Sequence, residues 1–202
     1  MHMIPRRLCI RLICAAAIAV QGVVFGSCVA AESPTASGVA GDSVYQLPLT
    51  LTDQNNRAFA LAELRGKPVI VSMFYNSCKF VCPMLIDTIR DTVQALKPGN
   101  RDKIKVLLVT FDPAHDDVAT LKQITLQRKL DTNTWTLARC DAPGVRKLAA
   151  LLGIQYRKLP NGDYNHTTAL ILLDAQGRIA GSTNRIGTTD GDFVAKVDKT
   201  VE

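Results

Sequence analysis

The chain has 202 residues, 47% apolar and 21% charged, enough for a packed core and too apolar for a disordered chain. Half of the formal charge of +6 comes from Arg6, Arg7 and Arg11; residues 32–202 hold 21 basic against 18 acidic side chains, a net of +3. Aromatics make up 5% and no basic stripe is interleaved with them, so the sequence carries no nucleic-acid signature.

The three arginines precede an uncharged stretch, 12–31, broken only by Gln21, Gly22, Gly26 and Ser27. This is the pattern of a secretory signal or a single membrane anchor. Val29, Ala30 and Ala31 form a small-residue cleavage site. Phe25-Gly26-Ser27-Cys28 resembles a bacterial lipoprotein signal with Cys28 as the lipidated residue. Cleaved, lipidated or anchored, the rest of the chain is expected outside the cytoplasm. The expected organisation is a signal or anchor over 1–31, a flexible spacer over 32–43 and one domain over 44–202.

Within the domain, 47–52 reads as a short strand turned by Asp53, Gln54, Asn55 and Asn56. The run 69–74 is almost wholly apolar, as a central buried strand requires. From 83 to 97 the period becomes helical, with Ile86, Ile89, Val93 and Leu96 on one face; Pro83 suits a first turn and Pro98-Gly99 ends it. A second buried strand spans 104–111. Asp116 or Asp117 can cap a helix carrying Val118, Leu121 and Ile124. A short strand at 135–138 leads to a helix opened by Asp141 and Pro143 and closed by Gly153. Residues 156–164 read as a hairpin around Asn161-Gly162. A strand pair, 169–174 and 179–182, and a helix over 190–199 complete the chain. The expected fold is α/β and thioredoxin-like, because a buried strand runs directly into a cysteine pair and a helix. It carries an N-terminal strand extension and a hairpin insertion before the strand at 169–174.

The chemistry concentrates in Tyr75-Asn76-Ser77-Cys78-Lys79-Phe80-Val81-Cys82-Pro83. Two cysteines four apart at a helix N-terminus sit in the positive end of the helix dipole, which favours thiolate. They can close a redox-active disulfide if their backbones approach closely enough. Alternatively, two thiolates can hold a soft metal ion, and sulfur donors select Cu(I). Three intervening residues, one more than in most thiol oxidoreductases, leave room for an ion. A structural disulfide or a pair of buried thiols is the non-functional alternative. His166 precedes the strand at 169–174, and in thioredoxin-like folds the segment entering that strand abuts the cysteine loop. Its imidazole can complete a metal site. His115, in Asp112-Pro113-Ala114-His115-Asp116-Asp117, is a lesser ligand candidate or a capture site. Met84 can give a thioether contact but suits packing. Cys140 reads as a semi-buried small residue with a weaker claim to a resolving role. A thiol peroxidase lacks support: three and seven residues before Cys82 stand Lys79 and Tyr75, where those enzymes need threonine and proline.

At these residues the chain resembles the Sco/SenC family of envelope copper proteins. Leu49-Thr-Leu-Thr-Asp-Gln54 with Leu64-Arg-Gly-Lys-Pro68 is similar to the family's opening, and Cys78-Lys-Phe-Val-Cys82-Pro83 matches its Cys-x-x-x-Cys-Pro. Phe111-Asp-Pro-Ala-His-Asp116 is similar to its Asp-Pro segment, and His166 with the apolar strand ending at Asp174 to its histidine element. The resemblance implies copper, as Cu(I) or as Cu(II) with a further ligand, bound by Cys78, Cys82 and His166. It implies a periplasmic metallochaperone that helps to assemble a cytochrome oxidase copper centre, by copper delivery, reduction of target cysteines or both. The implied partners are the copper-accepting oxidase subunit or another copper chaperone. A thiol–disulfide oxidoreductase using Cys78 and Cys82 without metal is the rival, and His166 separates the two, since a dithiol reductase has no need of it.

Overall fold

The structure, a computed structural model, describes residues 41–78 and 81–202; the expected leader and most of the expected spacer lie outside them. Among the described residues no helix is long and apolar enough to cross a membrane.

Among the described residues nine strands and four α-helices follow one another: β1 (Thr50–Asp53), β2 (Ala58–Ala60), β3 (Val69–Phe74), α1 (Val81–Ala95), β4 (Lys105–Thr110), α2 (Val118–Gln127), β5 (Trp135–Arg139), α3 (Ala142–Leu151), β6 (Tyr156–Lys158), β7 (Tyr164–His166), β8 (Leu170–Leu173), β9 (Ile179–Thr183) and α4 (Gly191–Val201). Seven strands form one sheet in the order β2-β1-β5-β4-β3-β8-β9, and β6-β7 is a separate hairpin. The parallel centre β3-β4-β5 is apolar on both faces. Every residue of β3 and of β8 is buried, as strands sandwiched between layers demand. The crossovers through α1 and α2 run the same way along the sheet, so crossovers of one hand put both helices on one face. There Arg90 donates to the Arg128 carbonyl at 2.8 Å.

Among the departures from the sequence reading, two boundaries and one added strand have local causes. The first strand starts at Thr50, not at 47, because Val44–Gln46 forms a 3₁₀ turn and Pro48 has no N–H to pair. The strand β2 has no expected counterpart, because three residues of Ala-Phe-Ala make no period; β1 recruits it through the turn at 53–56, where Asp53 accepts the N–H groups of Asn55 and Arg57. Helix α1 begins at Val81, so Pro83 is its third residue. Proline is tolerated there because the first-turn N–H groups have no intrahelical partner.

Gln54 lies in the turn, as expected, but its side chain is buried. Its amide spans the gap beside β5, donating to the Trp135 carbonyl at 3.2 Å and accepting the Leu137 N–H at 2.9 Å. Gln54→Ala leaves two β5 backbone groups without partners and should cost about 2 kcal/mol. Urea unfolding of the two proteins measures it; a midpoint unchanged with the same slope would show that water replaces the amide.

Register decides what meets at the functional edge. Phe74 pairs with Thr110, so β3 and β4 release their following loops side by side. Strand β8 runs antiparallel to β3, with Val71 opposite Ile171. The segment entering β8 therefore lies at the same edge, tied there by the Ser72 hydroxyl, which donates to the Ala169 carbonyl at 2.6 Å.

Candidate metal centre

The cysteine loop leaves β3 through a turn in which the Cys78 N–H reaches the Tyr75 carbonyl. Asp116 braces it from β4's side. One carboxylate oxygen accepts the Asn76 N–H at 3.0 Å and the Thr110 hydroxyl. The sequence left the α2 cap to Asp116 or Asp117. The structure gives it to Asp117, which accepts the Thr120 N–H, and frees Asp116 for this brace. Desolvation by burial raises the Asp116 pKa, offset in part by those two donors.

Cys78 and Cys82 are brought together. The Cys82 N–H, in the first turn of α1, donates to the Cys78 sulfur at 3.3 Å, which places the open end of the helix on that sulfur. Both line a cleft of about 110 Å³ with Tyr75, Pro83 and Ile86. Cys78, Cys82 and Cys140 are thiols, not disulfides. The sequence expectation of lowered thiol pKa values fails at Cys82. This side chain is buried; desolvation pushes its pKa well above the ordinary thiol range, the neighbouring Cys78 adds to the rise, and hydrogen bonding to the Tyr75 backbone opposes it only in part. At this depth desolvation outweighs the dipole. Cys78 is half-buried, and is the sulfur an incoming group meets first.

His166 closes β7, opposite Tyr156. Its Nδ1 lies 3.3 Å from both the Thr167 carbonyl and the Thr168 hydroxyl. An Nδ1–H donated to that carbonyl leaves the lone pair on Nε2. Burial lowers the imidazole pKa, which keeps the ring neutral and able to act as a ligand. The ring packs 4.9 Å from Phe111 and edge-on, 5.9 Å, against Tyr75.

Tyr75 thus connects the elements. Its backbone contacts both cysteines, its hydroxyl bonds the Cys78 side chain and its ring meets His166. Among the described residues no three His, Cys, Asp or Glu side chains are gathered closely enough to hold a metal ion; the cysteines meet each other, and His166 stands across Tyr75. Sequence reasoning missed Tyr75 and its partners Phe111, Tyr156 and Tyr164, whose rings lie 4.9–6.3 Å apart. The one signal was Tyr75 itself, an aromatic where β3 turns into the cysteine loop.

The remaining candidates are engaged with other groups. His115 is exposed, with Nδ1 2.9 Å from both oxygens of buried Asp112. Met84 packs over Gly187, where an added Cβ would meet its sulfur at 2.9 Å. Cys140 is buried at the end of β5; desolvation pushes its thiol up to about 12, and it lies under α3 beside Gly144.

Residues 38–202 match the family SCO1/SenC. A "putative copper-binding protein" of Stutzerimonas stutzeri is 31% identical over 137 residues, 66% of this chain and 66% of that one. The mitochondrial protein SCO2 of Saccharomyces cerevisiae is 32% identical over 141 residues, 68% of this chain and 47% of that one. The chain therefore spans two thirds or less of these relatives' lengths. Among solved structures, copper-bound ScoI of Bradyrhizobium japonicum superposes with a TM-score of 0.64 at 26% identity, covering 76% of this chain and 97% of that one. A SCO1/SenC family lipoprotein of Bacillus anthracis gives 0.69 at 21% identity, covering 77% and 97%, and shares the thioredoxin-like fold. With the family matched over four-fifths of its length and the fold shared, this chain belongs to the SCO1/SenC family.

Proposed function

We propose that the protein is a copper carrier of the cell envelope that binds Cu(I) through Cys78, Cys82 and His166 and passes it to a copper-accepting subunit of a cytochrome oxidase, or takes it from another copper chaperone. The observation that carries this reading is the paired thiols at the α1 N-terminus with a neutral imidazole one ring away. Soft thiolates favour Cu(I) over harder ions. Each cysteine surrenders its proton on binding. Burial makes that costly at Cys82, so the metal itself must drive the deprotonation. Half-exposed Cys78 suits a ligand that is exchanged with an acceptor. The copper-bound Bradyrhizobium japonicum relative and the putative copper-binding relative support the choice of ion. The arginine-led apolar stretch supports periplasmic placement, through a cleaved signal, an anchor or a lipid on Cys28, ahead of a spacer and a domain over 44–202.

The reduced full-length chain, titrated with Cu(I) against a competing chelator, should take up one equivalent and lose it when the thiols are oxidised to a disulfide. Uptake no tighter than that of the alkylated protein would sink the reading. A second reading rests on the Cys82 N–H poised on the Cys78 sulfur: the pair reduces a target disulfide, giving up two electrons and two protons to form the Cys78–Cys82 bond while the target becomes a dithiol. Copper binding and this exchange are mutually exclusive on one molecule, so redox state would gate loading.

A further inference from the structure

The aromatic cluster that holds His166 also floors a second cleft, which the copper reading leaves unused. It measures about 430 Å³, and Phe111, Tyr156 and Tyr164 line it together with Arg146 of α3 and Arg157 and Lys158 of β6. All three cations are exposed. Among the described residues none of them makes an ion pair; Lys158 is placed 5.6 Å from the Tyr164 ring centre. The acid in the lining, Asp112, is committed to His115 at 2.9 Å and to the Tyr164 hydroxyl. The cleft's lining thus sets three exposed cations against one buried carboxylate, a net positive charge on an otherwise mildly charged body. Tyr156 and Arg157 also line the cleft that contains His166, and Phe111 of the cationic cleft packs 4.9 Å from the His166 ring, so the two clefts are neighbours that share a wall.

A cationic rim over an aromatic floor recognises carboxylates flanking apolar side chains. Phosphate alone would leave the rings without a partner, and a lipid surface would need a flat patch, not a cleft. We propose that this cleft is the docking surface for an acidic, apolar-centred segment of the protein that exchanges copper with this chain, seated beside His166. The proposal rests on the copper reading for the identity of that protein as an exchange partner. Electrostatic complementarity of this kind mainly sets the encounter rate and orientation, which a carrier that must release its cargo requires more than tight binding.

The test uses the full-length chain in nonionic detergent and a fluorescent peptide alternating Glu with Leu and Phe, beside the same peptide with Gln for Glu. The Glu peptide should bind at least about tenfold more tightly. That preference should vanish at high salt and in the triple variant Arg146→Glu, Arg157→Glu, Lys158→Glu. A control carrying Lys67→Glu, Lys122→Glu and Lys199→Glu changes the net charge equally and should keep it. Equal binding of the two peptides, or undiminished binding by the cleft variant, overturns the docking surface. So does a cleft-dependent affinity for phosphatidylglycerol vesicles without affinity for the Glu peptide, which would assign the patch to lipid. Cu(I) uptake is measured on the same samples: if the wild type takes up none, the copper reading fails and the partner's identity with it, whatever the peptide does.

Discussion

Cys82→Ser is expected to weaken Cu(I) binding by about a thousandfold, and Cys78→Ser by a similar factor, with His166→Ala costing about 10- to 100-fold. The ranking follows from ligand chemistry and geometry. A hydroxyl cannot replace a thiolate on a soft ion, and either serine leaves one sulfur. The imidazole contributes less because His166 does not touch the sulfurs and must close the distance across Tyr75. His115→Ala should leave affinity unchanged, because that imidazole is paired to Asp112. Competition titrations of the reduced variants against one chelator give the four numbers together. A His166→Ala protein indistinguishable from the wild type would remove the third ligand and leave a dithiol site; a large loss in His115→Ala would mean that the loop after β4 supplies a ligand instead.

Asp116→Ala should destabilise the fold by about 2–3 kcal/mol, lowering the melting temperature by about 5–10 °C. Two donors, the Asn76 N–H and the Thr110 hydroxyl, lose their acceptor, in a place where Asp116 is 2% exposed. The loss stays moderate because removing a buried carboxylate also removes its desolvation cost. Since Asn76 begins the cysteine loop, the same variant should alter the rate at which Cys78 reacts with an alkylating reagent. Asp116→Asn keeps an acceptor oxygen and should recover part of both effects. An Asp116→Ala protein as stable as the wild type, with unchanged thiol reactivity, would show that the brace does not position the loop.

Much of the molecule can be read along the chain. The apolar runs of β3, β4 and β8 and the cap Asp141 announce themselves, because burial on both faces and helix capping are local demands on residue type. The hairpin is announced by Asn161-Gly162, with Gly162 at φ 89°, and the cysteine pair by its place between a strand and a helix. Other features belong to no local pattern. The three residues of β2 become a strand only when β1 offers them an edge, and Gln54 becomes a ladder surrogate only when β5 lies beside it. Strand direction brings His166 to the cysteine edge, since β8 runs antiparallel to β3 across about a hundred residues of intervening chain. The helix dipole predicts a lowered thiol pKa at both cysteines; the depth of Cys82, which depends on all that packs over it, reverses the sign there. The sequence by itself therefore determined which elements form and which residue types carry the chemistry, because those are set by propensity and pattern. Tertiary structure alone decided which side chains meet and how strongly each is desolvated, because both depend on neighbours remote in the chain.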